Sequence, residues 1–171
     1  MFVRTRKPIL AFVLIAIVTI SLISRSPGLK IVDQQGDILV QVIRLDKVLL
    51  KYTHSAMKTP VEDIYTFDQE EMKLVHSKSV HKSLGAGFEF KSGDLGELTT
   101  ENGRFILKGI NKPFEVLTFR YGETADQKII IKDSDEKKTI NLSEHVAPGE
   151  QVKIKPTYIW RFPLERRVNS E

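Results

Sequence analysis

The 171 residues contain no cysteine. This excludes a disulfide framework, a thiolate metal site and a cysteine nucleophile, but it does not locate the protein, because a domain of this size can be stable without bridges. A basic face is missing as well. The formal net charge is +4, yet residues 1–30 hold Arg4, Arg6, Lys7, Arg25 and Lys30 and no acid. That leaves 21 of the 26 basic side chains against all 22 acidic ones in 31–171, so the body of the chain is close to neutral. A nucleic-acid partner is therefore not expected. No G-x-S-x-G elbow is present, and Gly85 and Gly87 are not followed by Gly-Lys-Ser/Thr, which removes two common catalytic and phosphate-binding signatures. There is no internal repeat, no low-complexity segment and no cofactor motif.

Long apolar runs are also lacking, with one exception. Ile9 to Ile23 carries no charge, and Pro8 and Ser24 extend the uncharged stretch. At a rise of about 1.5 Å per residue it barely spans a hydrocarbon core of about 30 Å, with Lys7 and Arg25 placed to snorkel at its ends. Length alone does not separate a spanning helix from a signal peptide. No A-x-A follows the run, and the small pair Ser24 and Ser26 is followed by Pro27, which is expected to block cleavage. An uncleaved single-pass anchor is the preferred reading over a cleaved signal. Arg4, Arg6 and Lys7 then keep the N-terminus cytoplasmic and place the domain outside the cytoplasm at the cell membrane.

Beyond Ser26-Pro27-Gly28, read as a helix breaker opening a short linker, the hydrophobic period changes to two. Ile38–Ile43, Val48–Thr53, Val61–Phe67, Met72–Val80, Arg104–Lys108, Phe114–Tyr121, Lys128–Lys132, Lys138–Leu142 and Gln151–Lys155 read as strands. Each is short, rich in β-branched or aromatic residues, and bounded by Asn, Gly, Pro or Asp. The expected fold is all-β, an antiparallel sandwich or barrel-like domain preceded by one transmembrane helix. The expected organisation is an anchor and linker at 1–30, a β domain at 31–156 and a basic-aromatic tail at 157–171.

The chemistry gathers in Tyr52–Tyr65, which holds His54, Ser55, Lys58, Thr59, Glu62 and Asp63. On a hairpin, His54 and Ser55 point to opposite faces and cannot form a nucleophile–base pair. A register that sets His54 opposite Glu62 would couple imidazole to carboxylate, with Lys58 and Thr59 at the mouth of a pocket for a small anion or a partner's backbone. The competing account is structural: Ser55 and Thr59 cap the turn, Pro60 sets its bend, and the His–Glu pair satisfies itself. His76 and His81 are separated by an odd number, so a regular strand puts them on opposite faces, and no metal site is expected. Gly85 and Gly87 mark a tight bend packed beside the hairpin.

The stretch Tyr52-Thr-His-Ser-Ala-Met-Lys-Thr-Pro-Val-Glu-Asp-Ile-Tyr65, with Gly85-Ala86-Gly87 some twenty residues on, resembles the bacterial and archaeal domain-of-unknown-function family numbered eighteen-fifty. The likeness covers roughly 35–155 and departs at Phe88-Glu89, where the family favours a leucine and often a proline. The resemblance implies no assigned activity. It does imply a setting, because members are often encoded beside TAXI-type TRAP transporters, whose receptor or permease subunits are the expected partners. The expected function is that of a non-enzymatic accessory to such a transporter. The alternatives are a cell-envelope module binding a small anion through His54, Ser55, Lys58, Thr59, Glu62, Gly85 and Gly87, or a hydrolase using His54 and Glu62.

Overall fold

The computed structural model describes residues 6–23, 25–83, 96–133 and 136–160. Gly85, Gly87 and the tail from 161 lie outside the described residues. One helix, α1 (Arg6–Ile23), precedes eleven strands: β1 (Arg25–Val32), β2 (Ile38–Ile43), β3 (Lys47–Thr53), β4 (Pro60–Asp68), β5 (Lys73–His81), β6 (Glu97–Glu101), β7 (Arg104–Phe114), β8 (Leu117–Arg120), β9 (Lys128–Lys132), β10 (Lys137–Asn141) and β11 (Gln151–Trp160). They form a four-stranded sheet in the order β2-β1-β11-β8 and a seven-stranded sheet in the order β10-β9-β3-β4-β5-β7-β6, and all pairings are antiparallel.

The two sheets share one core. Leu29, Ile31, Val152 and Ile154 of the small sheet meet Val48, Leu50, Phe67, Leu74 and Ile129 of the large one. Most of these are almost completely buried, each burial being worth about 1.5–3 kcal/mol. Strand alternation produces the layering. Val48 and Leu50 lie opposite Tyr65 and Asp63, so this face of β3 and β4 turns inward, whereas Leu49 and Ile64 pair on the outer face.

Two strands were not foreseen. Ser26-Pro27-Gly28 is part of β1 and not of a linker, so the sheet begins two residues after α1 ends and does not wait for residue 31. Proline is tolerated there because Pro27 pairs with Tyr158 of β11 while the pairing with β2 starts only at Gly28. Pro156 of β11 is placed in the same way, opposite Leu29 and beyond the end of the β8 pairing. β11 accordingly runs past 156 to Trp160. The second addition is β6, which pairs with a β7 longer than expected, and the expected Phe114–Tyr121 strand divides between β7 and β8.

The helix marked in the sequence as an anchor is present, and its side chains are described from Leu10 to Ile20. Among the described residues, no helix is long and apolar enough to cross a membrane.

The close pairing of β1 makes one position testable. A Cβ on Gly28 would stand 2.3 Å from the Val42 carbonyl oxygen and 2.7 Å from Ile159 Cδ1. Gly28→Ala should therefore lower the unfolding free energy by about 1–3 kcal/mol, the usual cost of overpacking. An unchanged midpoint in a urea titration would contradict this packing.

Candidate functional site

The β3–β4 hairpin holds the polar stretch, but not in the expected register. Lys51 lies opposite Glu62, Tyr52 opposite Val61 and Thr53 opposite Pro60, so His54 is already in the turn. The expected His54–Glu62 pair is therefore corrected. Glu62 points to the outer face and accepts a hydrogen bond from Lys51 Nζ at 2.7 Å. Both groups are partly exposed, and such a pair is worth at most about 1 kcal/mol. On that face Glu62 also lines an open cleft of about 260 Å³ with Pro60, Val80, Lys82 and Arg104.

His54 organises the turn. Its backbone N–H donates to the Thr59 carbonyl at 2.9 Å, and its carbonyl accepts from the Lys58 N–H at 2.8 Å. The Met57 N–H approaches the ring Nδ1 at 3.4 Å, so the side chain caps the turn as an Asn would. Lys58 takes the left-handed conformation, φ 51°, that closes it. Ser55 and Lys58 are exposed at the tip, and Thr59 is half-buried. The hairpin thus groups His54, Ser55, Lys58 and Thr59 along the chain but sends Glu62 away from them.

The polar side chains that do converge are Tyr52, Asp63, His76, Ser79 and His81, on the inner face of β3, β4 and β5. A β-bulge makes this possible. Ile64 pairs with Lys78 but Tyr65 pairs with His76, so Ser77 is left over. The extra residue reverses the alternation, and His76 comes to the same face as Ser79 and His81. β7 yields at the same level: between Lys108 and Lys112 the register passes over Gly109 (φ 74°) to Asn111 (φ 50°). Ser77 is itself fixed by a hydrogen bond from its hydroxyl to the Ile64 carbonyl at 3.1 Å.

Asp63 is the hub. Its carboxylate accepts one hydrogen bond from Ser79 Oγ and a further one from the Tyr52 hydroxyl, and His76 Nε2 stands 3.5 Å away. His76 Nε2 is 2.9 Å from Ser79 Oγ. Tyr65 stacks on the His76 ring at 4.8 Å and meets Phe114 edge-on at 6.0 Å, which closes the cluster from the core side. Asp63 and His76 are 14% and 16% exposed, and Ser79 only 4%. Burial opposes ionisation of Asp63, but the hydrogen bonds from His76 and Ser79, the attraction of His76 and the Tyr52 hydroxyl outweigh it and hold the carboxyl below the usual range. Burial pushes the Tyr52 hydroxyl upward, and the Asp63 charge adds to the shift. His81 is pushed down by burial and by His54 and His76, against the pull of Asp63.

Asp, His and Ser side by side suggest a nucleophilic triad, but the geometry differs. A triad needs the serine proton aimed at one imidazole nitrogen and the carboxylate on the other. Here the Ser79 hydroxyl donates to Asp63, and the same nitrogen of His76 faces both. With the serine proton given to the carboxylate, Nε2 must carry a proton toward Ser79 Oγ and cannot act as its base. A carboxylate with a lowered pKa is also a weak base at neutral pH. The arrangement serves as a clamp tying β3, β4 and β5 together. Among the described residues, no group of three or more His, Asp or Glu side chains is set to hold a metal ion.

A family model described as a domain of unknown function (DUF1850) matches residues 48–137. This is more than half of the chain, though narrower than 35–155. It starts within β3 and contains every member of the Asp63 cluster, whereas β1, β2 and β11 lie outside it. No curated protein and no solved structure matches the chain.

The cluster makes stability depend on pH in two stages. The folded pKa of His81 lies below its ordinary value of 6.5, so its contribution is complete above that value and is lost as the pH falls below it. Asp63 is likewise lowered from 3.8, so its contribution is complete above that value and disappears as the pH falls through the folded pKa. Melting temperature should therefore drop in two steps on acidification. His81→Gln should remove the upper step, and Asp63→Asn the lower. At neutral pH Asp63→Asn should cost about 1.5–3 kcal/mol, typical of hydrogen bonds to a charged group. A melting curve of Asp63→Asn matching wild type at every pH would show that the carboxylate holds nothing.

Proposed function

The chain belongs to the DUF1850 family, a domain of unknown function, and on that footing we propose a non-enzymatic β-sandwich held at the outer face of the cell membrane by its N-terminal helix, where it assists a solute transporter. The observation that carries this reading is the surface of α1. Leu10 and Phe12 are each 74% exposed, and Leu14, Ile15, Ile17, Val18 and Ile20 are exposed as well. These positions run right round the helix, leaving no polar face to turn toward water. A helix with such a surface requires apolar surroundings, and a bilayer supplies them. Its Thr19 hydroxyl is satisfied within the helix by the Ile15 carbonyl at 2.7 Å, as a hydroxyl in hydrocarbon requires.

Orientation follows from charge. Arg4, Arg6 and Lys7 before the apolar run favour a cytoplasmic N-terminus and an extracytoplasmic domain. The non-enzymatic part of the proposal rests on the Asp63 cluster, whose hydrogen bonds are directed at one another and not at a substrate. The transporter as partner, of the TRAP type with a receptor or permease subunit in contact, rests on the resemblance of the Tyr52–Tyr65 motif.

Membranes extracted in mild detergent provide the test. The full chain should appear in the detergent extract, and affinity capture should retain a receptor or permease subunit. Added protease should remove the domain from intact spheroplasts. Recovery of the chain in a salt-washed supernatant as a lone monomer would overturn the reading. Hydrolysis of an ester that is lost on Ser79→Ala would overturn its non-enzymatic part.

A further inference from the structure

Helix α1 ends at Ile23 and β1 starts at Arg25, so the first pairs of the small sheet stand directly at the end of the apolar helix. Those pairs are Arg25 opposite Trp160 and Pro27 opposite Tyr158. Arg25 and Pro27 are two residues apart on one strand, as are Tyr158 and Trp160 on the other, so all four belong to one face of the ribbon. The Arg25 guanidinium lies over the Trp160 ring, 4.1 Å from its centroid. Trp160 is 40% exposed and Tyr158 53%, although single large aromatics are usually more buried than this.

We infer that Arg25, Tyr158 and Trp160 form an interfacial collar that seats the sandwich against lipid headgroups. The inference rests on the membrane attachment proposed for α1. The distances fit. Two strand residues advance about 7 Å, and the headgroup layer on each side of the hydrocarbon core is roughly 5–8 Å thick. Both aromatic rings therefore fall within that layer if α1 enters the core. Tyrosine and tryptophan suit this depth because each joins an apolar body to a polar hydrogen-bonding edge. The Arg25 guanidinium, stacked on Trp160, keeps its N–H donors available to phosphate oxygens while its apolar faces are covered. Only one residue separates α1 from β1, so the collar leaves the domain little freedom to swing away from the surface.

Trp160 is the only tryptophan in the chain, so its fluorescence reports on this site alone. The full chain would be reconstituted into phosphatidylcholine–phosphatidylglycerol vesicles containing lipids brominated either near the headgroup or near the chain ends. The collar predicts emission shifted to the blue of the value in water. Shallow bromines should quench roughly twofold or more strongly than deep ones, as for an interfacial ring. Co-flotation with vesicles without quenching by either lipid would overturn the collar while sparing the membrane attachment. Stronger quenching by the deep bromines would also overturn it. Failure to float with the vesicles would overturn the attachment itself, and the collar with it.

Discussion

One extra residue in β5 governs the arrangement of this molecule. If the strand were regular, Leu74 and His76 would face the core while Ser79 and His81 faced away, and Asp63 would sit buried opposite a lysine. The bulge at Ser77 removes that conflict. It lets the two halves of β5 present Leu74, His76, Ser79 and His81 to the same side, and the buried carboxylate then meets three donors. The cost of burying a charge is offset only when it is fully hydrogen-bonded, so the bulge and the carboxylate depend on each other. The bow in β7 at Gly109–Asn111 is the neighbouring strand's accommodation of the same irregularity.

The two sheets divide the work. The strands that fall within the family match, apart from the short β8, belong to the large sheet, which also holds the Asp63 clamp and the capped hairpin. The small sheet is built on β1, which follows α1 after one residue, and its partner β11, and together they carry Arg25, Tyr158 and Trp160. A displacement of α1 transmitted through β1 therefore reaches the core through Leu29 and Ile31, which pack against the large sheet. Loosening either sheet would be felt in the other, because they bury one continuous core and not two.

Much of the fold was legible in the sequence, and the reasons differ by element. β2, β3, β4, β5, β9 and β10 show alternation or β-branched runs between turn residues, and their boundaries fall close to those expected. β1 was hidden because Ser26-Pro27-Gly28 has the composition of a breaker, and only the absence of a β2 neighbour at Pro27 makes a strand acceptable there. The polar stretch Tyr52–Tyr65 contributes Tyr52 and Asp63 to the cluster, neither of them among the candidate binding residues, and their partners His76, Ser79 and His81 lie outside it. His76 was set aside on parity, a sound argument that a single bulged residue reverses. Ser77 carries no glycine or other local mark that would announce the bulge. The His54–Glu62 pairing failed because the ladder sets Lys51 opposite Glu62, three residues from the expected register, and leaves His54 beyond its last pair, bonded through its backbone to Thr59 and Lys58.

The most direct test of this account is deletion of Ser77, followed by chemical unfolding from neutral to acidic pH. Removing the residue restores strict alternation, so one half of β5 must turn its side chains to the other face and the Asp63 cluster must divide. The account predicts a loss of about 3–5 kcal/mol, as when a buried ion pair is broken, together with loss of the acid-dependent part of the stability. A deletion variant that unfolds like the wild type, with its pH dependence intact, would contradict it.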